Sequence, residues 1–245
     1  MRDDVSFATL SDIPEPARPR YDATRDRVET YFDKTATRTW ERLTSDAPVS
    51  KIRETVRRGR DEMRALMLSR LPADLSGQRV LDAGCGAGQM TAELAARGAE
   101  VLAIDISPSL VEIAERRLPD ERRAQVTFTS GDMLSPELGH FDHVIAMDSL
   151  IYYDAADIAN ALFGLEKRTS STIVFTVAPR TRMLMAMWYA GKLFPRSDRS
   201  PVMIPHAHAP LTRAAEAQGL RGQVQPVDRV SSGFYISQAM EVRTQ

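Results

Sequence analysis

Five short apolar runs, each rich in β-branched residues and separated by helical stretches, constrain the fold of this chain most strongly. The runs are "RVLDAG", "EVLAID", "VTFTSGD", "FDHVIAMD" and "STIVFTVA", all within residues 79–178. Such alternation predicts an α/β fold whose parallel strands are joined by crossover helices. The segment "RGQVQPVDRVSSGFYISQAMEVR" predicts a hairpin at the sheet edge. We therefore expect a mostly parallel, seven-stranded sheet with helices on both faces.

The flanking segments predict three further parts. Residues 1–20, which contain "IPEPARPR", are predicted to be a flexible tail. Two helical stretches within residues 21–75 are predicted to form an N-terminal helical lid over the sheet domain, which spans 76–245. Residues 180–210 interrupt the strand–helix rhythm and are predicted to be an insertion after strand five that caps the acceptor pocket.

Composition argues against a nucleic-acid-binding protein, a disulfide-stabilised protein and a membrane-spanning protein. The net charge of −1 over 245 residues gives no electrostatic reason to expect a nucleic-acid partner. The single cysteine, Cys85, cannot form an internal disulfide, which fits a reducing compartment. The longest nearly unbroken apolar run, "MLMAMWYAGKLF", is shorter than the roughly 20 residues that cross a bilayer. We expect a monomeric cytoplasmic protein.

The loop "VLDAGCGAGQM", residues 80–90, places glycines at every second position after the first strand. A dinucleotide-binding loop follows the pattern G-x-G-x-x-G, whereas here the third glycine, Gly88, comes one residue early. Asp82 at the strand end would repel two phosphates but attract an ammonium or a sulfonium group. S-adenosylmethionine (SAM) carries both of these cations and no phosphate.

Carboxylates after the next two strands strengthen this interpretation. Asp105 can accept hydrogen bonds from ribose hydroxyls, and "GDM" places Asp132 and Met133 where they could contact an adenine amino group and ring. The three strand ends together predict a class I, Rossmann-like methyltransferase that uses SAM and releases S-adenosylhomocysteine (SAH). The predicted cofactor-binding residues are Asp82, Ala83, Gly84, Gly86, Gly88, Asp105, Ile106, Asp132, Met133 and Met147.

The segment after the fourth strand constrains the acceptor. Methyltransferases of amide or base nitrogens typically carry an Asn/Asp-Pro-Pro-aromatic stretch there, and this chain has "MDSLIYYD" instead. The segment "YFDKTATRTWERL" resembles the Y-F-x₃-G-F-x-R-W lid motif of magnesium-protoporphyrin IX O-methyltransferases of (bacterio)chlorophyll synthesis. Further similar stretches are "VSKIRETVRRGRDE", "DSLIYY", "VAPRT", "LFPRS" and "GFYISQAMEVR", so the resemblance covers nearly all of residues 28–243.

This resemblance implies methyl transfer from SAM to one propionate of Mg-protoporphyrin IX, giving the monomethyl ester. Tyr31 and Trp40 match lid residues of the family, and Tyr152 stands where the family usually has a histidine proposed as catalytic. Ala36 and Thr37 also depart from the family's Gly and Phe, as does Thr39 from its Arg. A propionate, with a pKa of about 4.3, is already ionised at neutral pH. We therefore expect Tyr31 and Tyr152 to orient the carboxylate rather than to remove a proton.

The implied partners are Mg-protoporphyrin IX as substrate and the magnesium chelatase large subunit as its donor. Membrane contact is expected to be peripheral at most, at the inner face of the photosynthetic membrane. Trp40, Met185, Trp188 and His206 are predicted to bind substrate, and no metal site of the protein's own is predicted. A Met-rich core helix around residue 185 and surface histidines in "PHAHAP" are the alternatives for these segments.

Other interpretations stay open on the sequence. Arg53, Arg57, Arg60 and Arg64 share one helix face that could meet substrate carboxylates or anionic head groups, or could simply be solvated. The chain could also methylate another bulky carboxylate or phenol. A further alternative is a non-catalytic, methyltransferase-like partner subunit, against which the intact Asp82 and Asp105 argue.

Overall fold

The computed structural model describes residues 18–33, 51–182, 184, 185, 189 and 201–244. Its centre is a sheet of seven strands in the order β3-β2-β1-β4-β5-β8-β7, and a two-residue strand, β6, pairs with β5 off this path. The last two long strands are antiparallel to their neighbours, and the others are parallel. The strands are β1 Arg79–Ala83, β2 Glu100–Asp105, β3 Val126–Ser130, β4 Phe141–Ala146, β5 Thr169–Pro179, β6 Pro205–His206, β7 Val224–Ser232 and β8 Tyr235–Arg243.

Helices cover both faces of the sheet, as the alternating pattern predicts. Val80 packs in a core cluster with Met63 and Leu94, whereas Leu81, its neighbour on the strand, packs in a second cluster with Ile158 and Leu211. This alternation is the two-residue period of a strand that is buried on both faces. The helices are α1 Arg18–Tyr31, α2 Lys51–Leu68, α3 Gln89–Ala96, α4 Pro108–Arg117, α5 Ala155–Glu166 and α6 His208–Gln218.

The strand order places the functional end of the fold. Strand β1 pairs with β2 on one side and with β4 on the other. The strand order therefore reverses at β1: β2 and β3 lie on one side of it, and β4 and the later strands lie on the other. In open α/β sheets, ligands bind in the crevice outside the carboxyl ends of the strands at such a switch point. The segments that follow β1, β2 and β4 are therefore expected to border one site.

The N-terminal helix begins earlier than the sequence predicted. Helix α1 starts at Arg18, so residues 18–20 belong to it and not to the predicted flexible tail. Pro19 causes no break because it stands in the first turn, where its missing N–H has no helical partner. The remainder of the predicted tail lies outside the described residues.

Helix α2 packs against β7 and β8. Met63 and Met67 have no exposed surface and belong to the core cluster that contains Val80. Arg70, just beyond the helix, donates to Glu241 of β8 from Nη2 at 2.7 Å. The C-terminal half of this helix is thus part of the domain core, whereas its N-terminal half extends towards the cavity.

The predicted C-terminal hairpin is present. Strands β7 and β8 are joined through Gly233, which has a φ of 59°, and β8 lies between β7 and β5. None of the helices in the described ranges is long and apolar enough to span a bilayer.

Candidate functional site

A cavity of about 270 Å³ lies at the carboxyl ends of the central strands, where the switch point predicts a site. One half of its wall comes from the glycine loop, β2 and the residues after β3. The other half comes from α1, α2, the segment after β4 and the C-terminal hairpin. The lining includes Tyr21, Arg25, Phe32, Arg60, Gly84, Gly86, Asp105, Ile106, Asp132, Met133, Met147, Asp148, Ser149, Tyr152, Phe234 and Tyr235.

The glycine loop is held close to β2 and the segment after β4. The N–H groups of Gly84 and Cys85 both donate to the Ile104 carbonyl, at 2.8 and 2.9 Å. Gly84 has a φ of 88°, and a Cβ there would lie 2.4 Å from the Ser149 Cβ. Gly86 also has a positive φ, but a Cβ there would meet no atom within 4 Å. The loop therefore leaves open space on its cavity side, which suits the close approach of a ligand to its backbone.

Asp105 ties this loop to the end of β2. Its Oδ2 accepts from the Gly86 N–H at 2.8 Å, and its Oδ1 accepts from the Ser107 N–H at 2.9 Å. Burial raises the carboxyl pKa, and hydrogen bonds from Ser107 and Gly86 oppose that shift. A carboxylate has about four acceptor sites, so two bonds leave capacity for ribose hydroxyls. Asp105 and the adjacent Ile106 both line the cavity, as the sequence predicted.

Asp82 lies behind the loop. It is 1% exposed, and its Oδ2 accepts from the Thr91 hydroxyl of α3 at 2.6 Å. Burial raises its pKa to about 7. A carboxyl group in this position fixes α3 against β1, and it does not line the cavity. Ala83, likewise predicted to bind cofactor, has no exposed surface.

The loop after β3 carries the third predicted contact. Asp132 accepts from the Tyr21 hydroxyl at 2.9 Å and from the Arg25 Nη1 at 3.3 Å, so α1 is fastened over this part of the cavity. Arg168 donates to the carbonyls of Met133, at 2.6 Å, and Ser135. Burial lowers the pKa of Arg168 to about 10, which still leaves it charged at neutral pH. The guanidinium fixes the backbone that presents Asp132 and Met133 to the cavity.

A second polar cluster lies across the cavity. Asp148 accepts from the Arg60 Nη1, from the Tyr235 hydroxyl at 3.1 Å and from the Thr176 hydroxyl at 3.2 Å. Its own N–H donates to the Thr176 Oγ1 at 2.8 Å. Arg60 and Asp148 are 17% and 11% exposed, and both line the cavity. Through Asp148, these hydrogen bonds connect the segment after β4 with α2, β5 and the C-terminal hairpin.

Tyr152 lines the cavity beside this cluster. Burial raises its pKa; the nearby charge of Asp148 raises it further, and Arg60 lowers it. The hydroxyl therefore stays protonated at neutral pH and can donate a hydrogen bond. Tyr31, at the end of α1, is close enough to contribute to the raised pKa of Tyr152. The ring of Phe32 packs edge-on to the ring of Tyr152, with centroids 6.1 Å apart. Of the two predicted tyrosines, Tyr152 lines the cavity, whereas Tyr31 lies near it without lining the cavity.

The remaining predicted site residues do not all line the cavity. Met147 lines the cavity, as predicted for a cofactor contact. Met185 is half-buried and does not line the cavity, whereas its neighbour Leu184 does. His206 is buried, and its Nε2 lies 2.9 Å from the Tyr153 carbonyl oxygen. Its ring holds the Tyr153 backbone and it does not line the cavity, so its role in substrate binding stays a prediction. Trp40 and Trp188 lie outside the described residues.

Sequence reasoning missed several of the lining residues, among them Tyr21, Arg25, Asp148 and Tyr235. One signal was available for the last of these. Gly59 interrupts an arginine-rich helix, and a Cβ there would lie 2.6 Å from the Tyr235 Cδ1. A glycine inside a helical pattern marks a close approach by another part of the chain.

Comparison with known proteins gives matches over both parts of the domain. Residues 146–244 match the family model "Magnesium-protoporphyrin IX methyltransferase C-terminus", and residues 80–168 match a methyltransferase domain. The chain is 61% identical to the magnesium-protoporphyrin O-methyltransferase of Rhodobacter capsulatus, with 91% of this chain and 98% of the relative covered. It is 28% identical to the corresponding enzyme of Synechocystis, with 87% and 94% covered.

A solved structure is similar as well. The magnesium protoporphyrin IX methyltransferase of Synechocystis with bound SAH matches with a TM-score of 0.74 and 27% identity, covering 89% of this chain and 98% of that chain. The predicted class I methyltransferase fold is thereby confirmed, with its mostly parallel sheet and helices on both faces.

Proposed function

The chain belongs to the magnesium-protoporphyrin O-methyltransferase family, and we propose that it transfers the methyl group of SAM to a propionate carboxylate of Mg-protoporphyrin IX. The products are the monomethyl ester and SAH. The observation that carries this function is a single cavity that joins the glycine loop and Asp105 on one wall to Tyr152 and the Arg60–Asp148 pair on the other. A methyltransferase needs both walls, since donor and acceptor must meet.

The cofactor wall supplies backbone and carboxylate groups. SAM, when bound, supplies an electrophilic methyl group on a positively charged sulfur. The open space at Gly86 fits close approach of its amino-acid part, and Asp105 would accept hydrogen bonds from the ribose. Asp132 and Met133 would hold the adenine, and Met147 lines the same cavity. Asp82 acts indirectly, by fixing α3 and the glycine loop.

The acceptor wall orients a nucleophile that is already ionised. Since a propionate has a pKa of about 4.3, no protein group has to remove a proton from it at neutral pH. Tyr152 keeps its hydroxyl proton because burial raises its pKa, so it donates to the carboxylate and Tyr31 donates beside it. Phe32 and the apolar lining exclude water. Orientation of this kind can lower a barrier by roughly 7 to 11 kcal/mol.

A single-turnover assay tests this function. Purified protein is mixed with SAM and Mg-protoporphyrin IX, and the ester is detected by mass. Parallel reactions contain metal-free protoporphyrin and a flat phenol of similar size. We expect the monomethyl ester from Mg-protoporphyrin and little product from the phenol.

Other results would contradict the proposal. Efficient methylation of the phenol alone would indicate a different acceptor class. Cofactor binding in calorimetry with no product from any acceptor would indicate a non-catalytic subunit.

A further inference from the structure

Asp148 holds an unusual position on the acceptor wall. Its φ is 58°, and no other non-glycine residue in the described ranges has a positive φ. Such a conformation is uncommon for a residue with a side chain and persists when the surroundings fix it. Here Arg60, Tyr235 and Thr176 all donate to its carboxylate. The chain keeps this strained residue at the cavity, beside Tyr152.

Arg60 brings a positive charge to the same wall. It comes from α2, whose C-terminal half is buried in the core, so the guanidinium is carried by a rigid element. A guanidinium has five N–H donors in a planar fork that fits a carboxylate, and its bond to Asp148 is made through Nη1. Arg60 also lines the cavity, so the guanidinium that holds Asp148 lies at the wall that an acceptor carboxylate would meet.

The charges of the cavity wall make this cation important for an anionic acceptor. Asp105 and Asp132 line the cofactor side, and Asp148 lines the acceptor side. Arg25 is engaged with Asp132 near the cofactor side, through Nη1 at 3.3 Å. A propionate that approached Tyr152 without a nearby cation would be repelled by these carboxylates.

We propose that Arg60 binds the reacting propionate of the porphyrin and that Asp148 positions Arg60 for this contact. The inference rests on the proposed function, because it needs an acceptor that carries a carboxylate. Arg60 is then a binding residue that sets specificity for acid acceptors. Asp148 acts through Arg60 and Tyr235 and is a positioning residue.

The pairing also explains why an aspartate stands beside the cation. An isolated arginine would hold the propionate firmly but withdraw charge from the oxygen that must attack the methyl group. Asp148 shares the guanidinium charge, so the propionate is oriented and still nucleophilic. Loss of Asp148 should therefore affect turnover more than acceptor binding.

The test compares two ligands in binding titrations followed by absorbance. Mg-protoporphyrin IX has two free propionates, and its dimethyl ester has none. With Arg60→Gln we expect at least tenfold weaker binding of the diacid, while binding of the dimethyl ester and of SAM changes less than twofold. With Asp148→Asn we expect KM for the diacid to stay within threefold and kcat to fall at least tenfold.

Matched variants separate this role from a structural one. Arg64→Gln removes a guanidinium one helical turn away, which pairs with the surface residue Asp61, and should leave both titrations unchanged. Arg60→Gln could fail to fold because the Asp148 carboxylate loses its cationic partner. The double variant Arg60→Gln with Asp148→Asn removes both charges, and it should show the same tenfold weaker binding of the diacid with no change for the dimethyl ester.

Equal losses for diacid and dimethyl ester would overturn the inference, since Arg60 would then act only on packing. Unchanged diacid binding in folded Arg60→Gln would overturn it too. An Asp148→Asn variant whose KM and kcat both match those of Arg64→Gln would remove the positioning role. Wild-type turnover is measured first, so a failure of the proposed function is seen separately, as no ester from Mg-protoporphyrin.

Discussion

The two walls of the cavity are built in different ways. On the cofactor wall, Asp105 bonds Gly86 across 19 residues of sequence, and the contributing segments follow consecutive strands. On the acceptor wall, Asp148 bonds Arg60 and Tyr235 across 88 and 87 residues. The first wall is a local motif repeated at neighbouring strand ends. The second exists only when a helix before the sheet and a hairpin after it are both packed.

This difference predicts how each wall responds to substitution. The cofactor wall depends on backbone groups and on space that a side chain would fill. The acceptor wall depends on side-chain hydroxyls and charges that can be exchanged one at a time. Backbone changes on the first should therefore have larger effects than side-chain changes on the second.

Gly84→Ala is expected to have the largest effect. The new Cβ would lie 2.4 Å from the Ser149 Cβ at a φ of 88°. Overpacking and left-handed strain together cost about 3 kcal/mol, or about a hundredfold in SAM affinity measured by calorimetry. Gly77→Ala is the control, because its φ is 75° but no atom lies within 4 Å of the new Cβ. Equal effects of the two variants would show that the contact with Ser149 is unimportant.

Asp105→Ala should weaken SAM binding at least tenfold. The variant removes charge-assisted hydrogen bonds to the ribose, each worth about 1.5 to 3 kcal/mol, and it also frees the Gly86 N–H from its anchor. Calorimetric titration of the folded protein measures the change. Asp120→Ala, at a surface residue that pairs with Arg123, provides the control. An unchanged dissociation constant would contradict the assignment of Asp105.

Tyr152→Phe tests the acceptor wall and should lower the single-turnover rate only about five- to tenfold, as expected for one hydrogen bond worth about 1 kcal/mol. The direction of the pKa shift fixes the pH dependence. Since burial raises the pKa of Tyr152, the hydroxyl is protonated throughout the neutral range, and the wild-type rate should show no ionisation of this group between about pH 6 and pH 9. Tyr152→His should stay active.

A general-base mechanism predicts a different result for the same variants. Loss of a base typically costs about 10²- to 10⁴-fold, and a histidine would give a rate that falls below a pKa of about 6.5. The pH profiles of the three proteins, with SAM binding checked separately, distinguish the two mechanisms.

His206→Phe should have the smallest effect on function. The variant leaves the Tyr153 carbonyl without its ring partner, so we expect the free energy of unfolding to fall by about 1 to 3 kcal/mol, measured by urea denaturation. KM for Mg-protoporphyrin should change less than twofold. His208→Phe loses a contact with the Val224 carbonyl, but the His208 side chain is exposed, so this variant should lose less stability. A tenfold rise in KM for the first variant alone would restore His206 to the substrate site.

The same contrast explains how far the sequence could predict the molecule. The strands, the hairpin, Asp105 and the glycine loop follow from short-range patterns, because each is encoded within a few residues. Asp148 gave no such signal: its importance comes from a positive φ and from partners far away in the sequence. The contact of the His206 Nε2 with the Tyr153 carbonyl gave no signal either, because residue type says nothing about what a ring nitrogen meets after folding.

The start of helix α1 is a second feature that the local sequence did not predict. Proline-rich composition predicted a flexible tail up to residue 20, yet Arg20 pairs with Asp154 at 2.9 Å at the start of α5. A proline in the first turn of a helix is compatible with that helix. The contacts that decide the boundary are again long-range.

The position of β8 between β5 and β7 has a consequence for synthesis of the chain. A ribosome releases residues 235–243 last among the strands, and they insert inside the sheet rather than add to its edge. Until they emerge, residues 172–177 of β5 lack their antiparallel partner strand and Asp148 lacks the Tyr235 hydroxyl. The nascent polypeptide can thus complete its donor-binding loop during translation, but it gains a working acceptor chamber only when translation has passed the final hairpin.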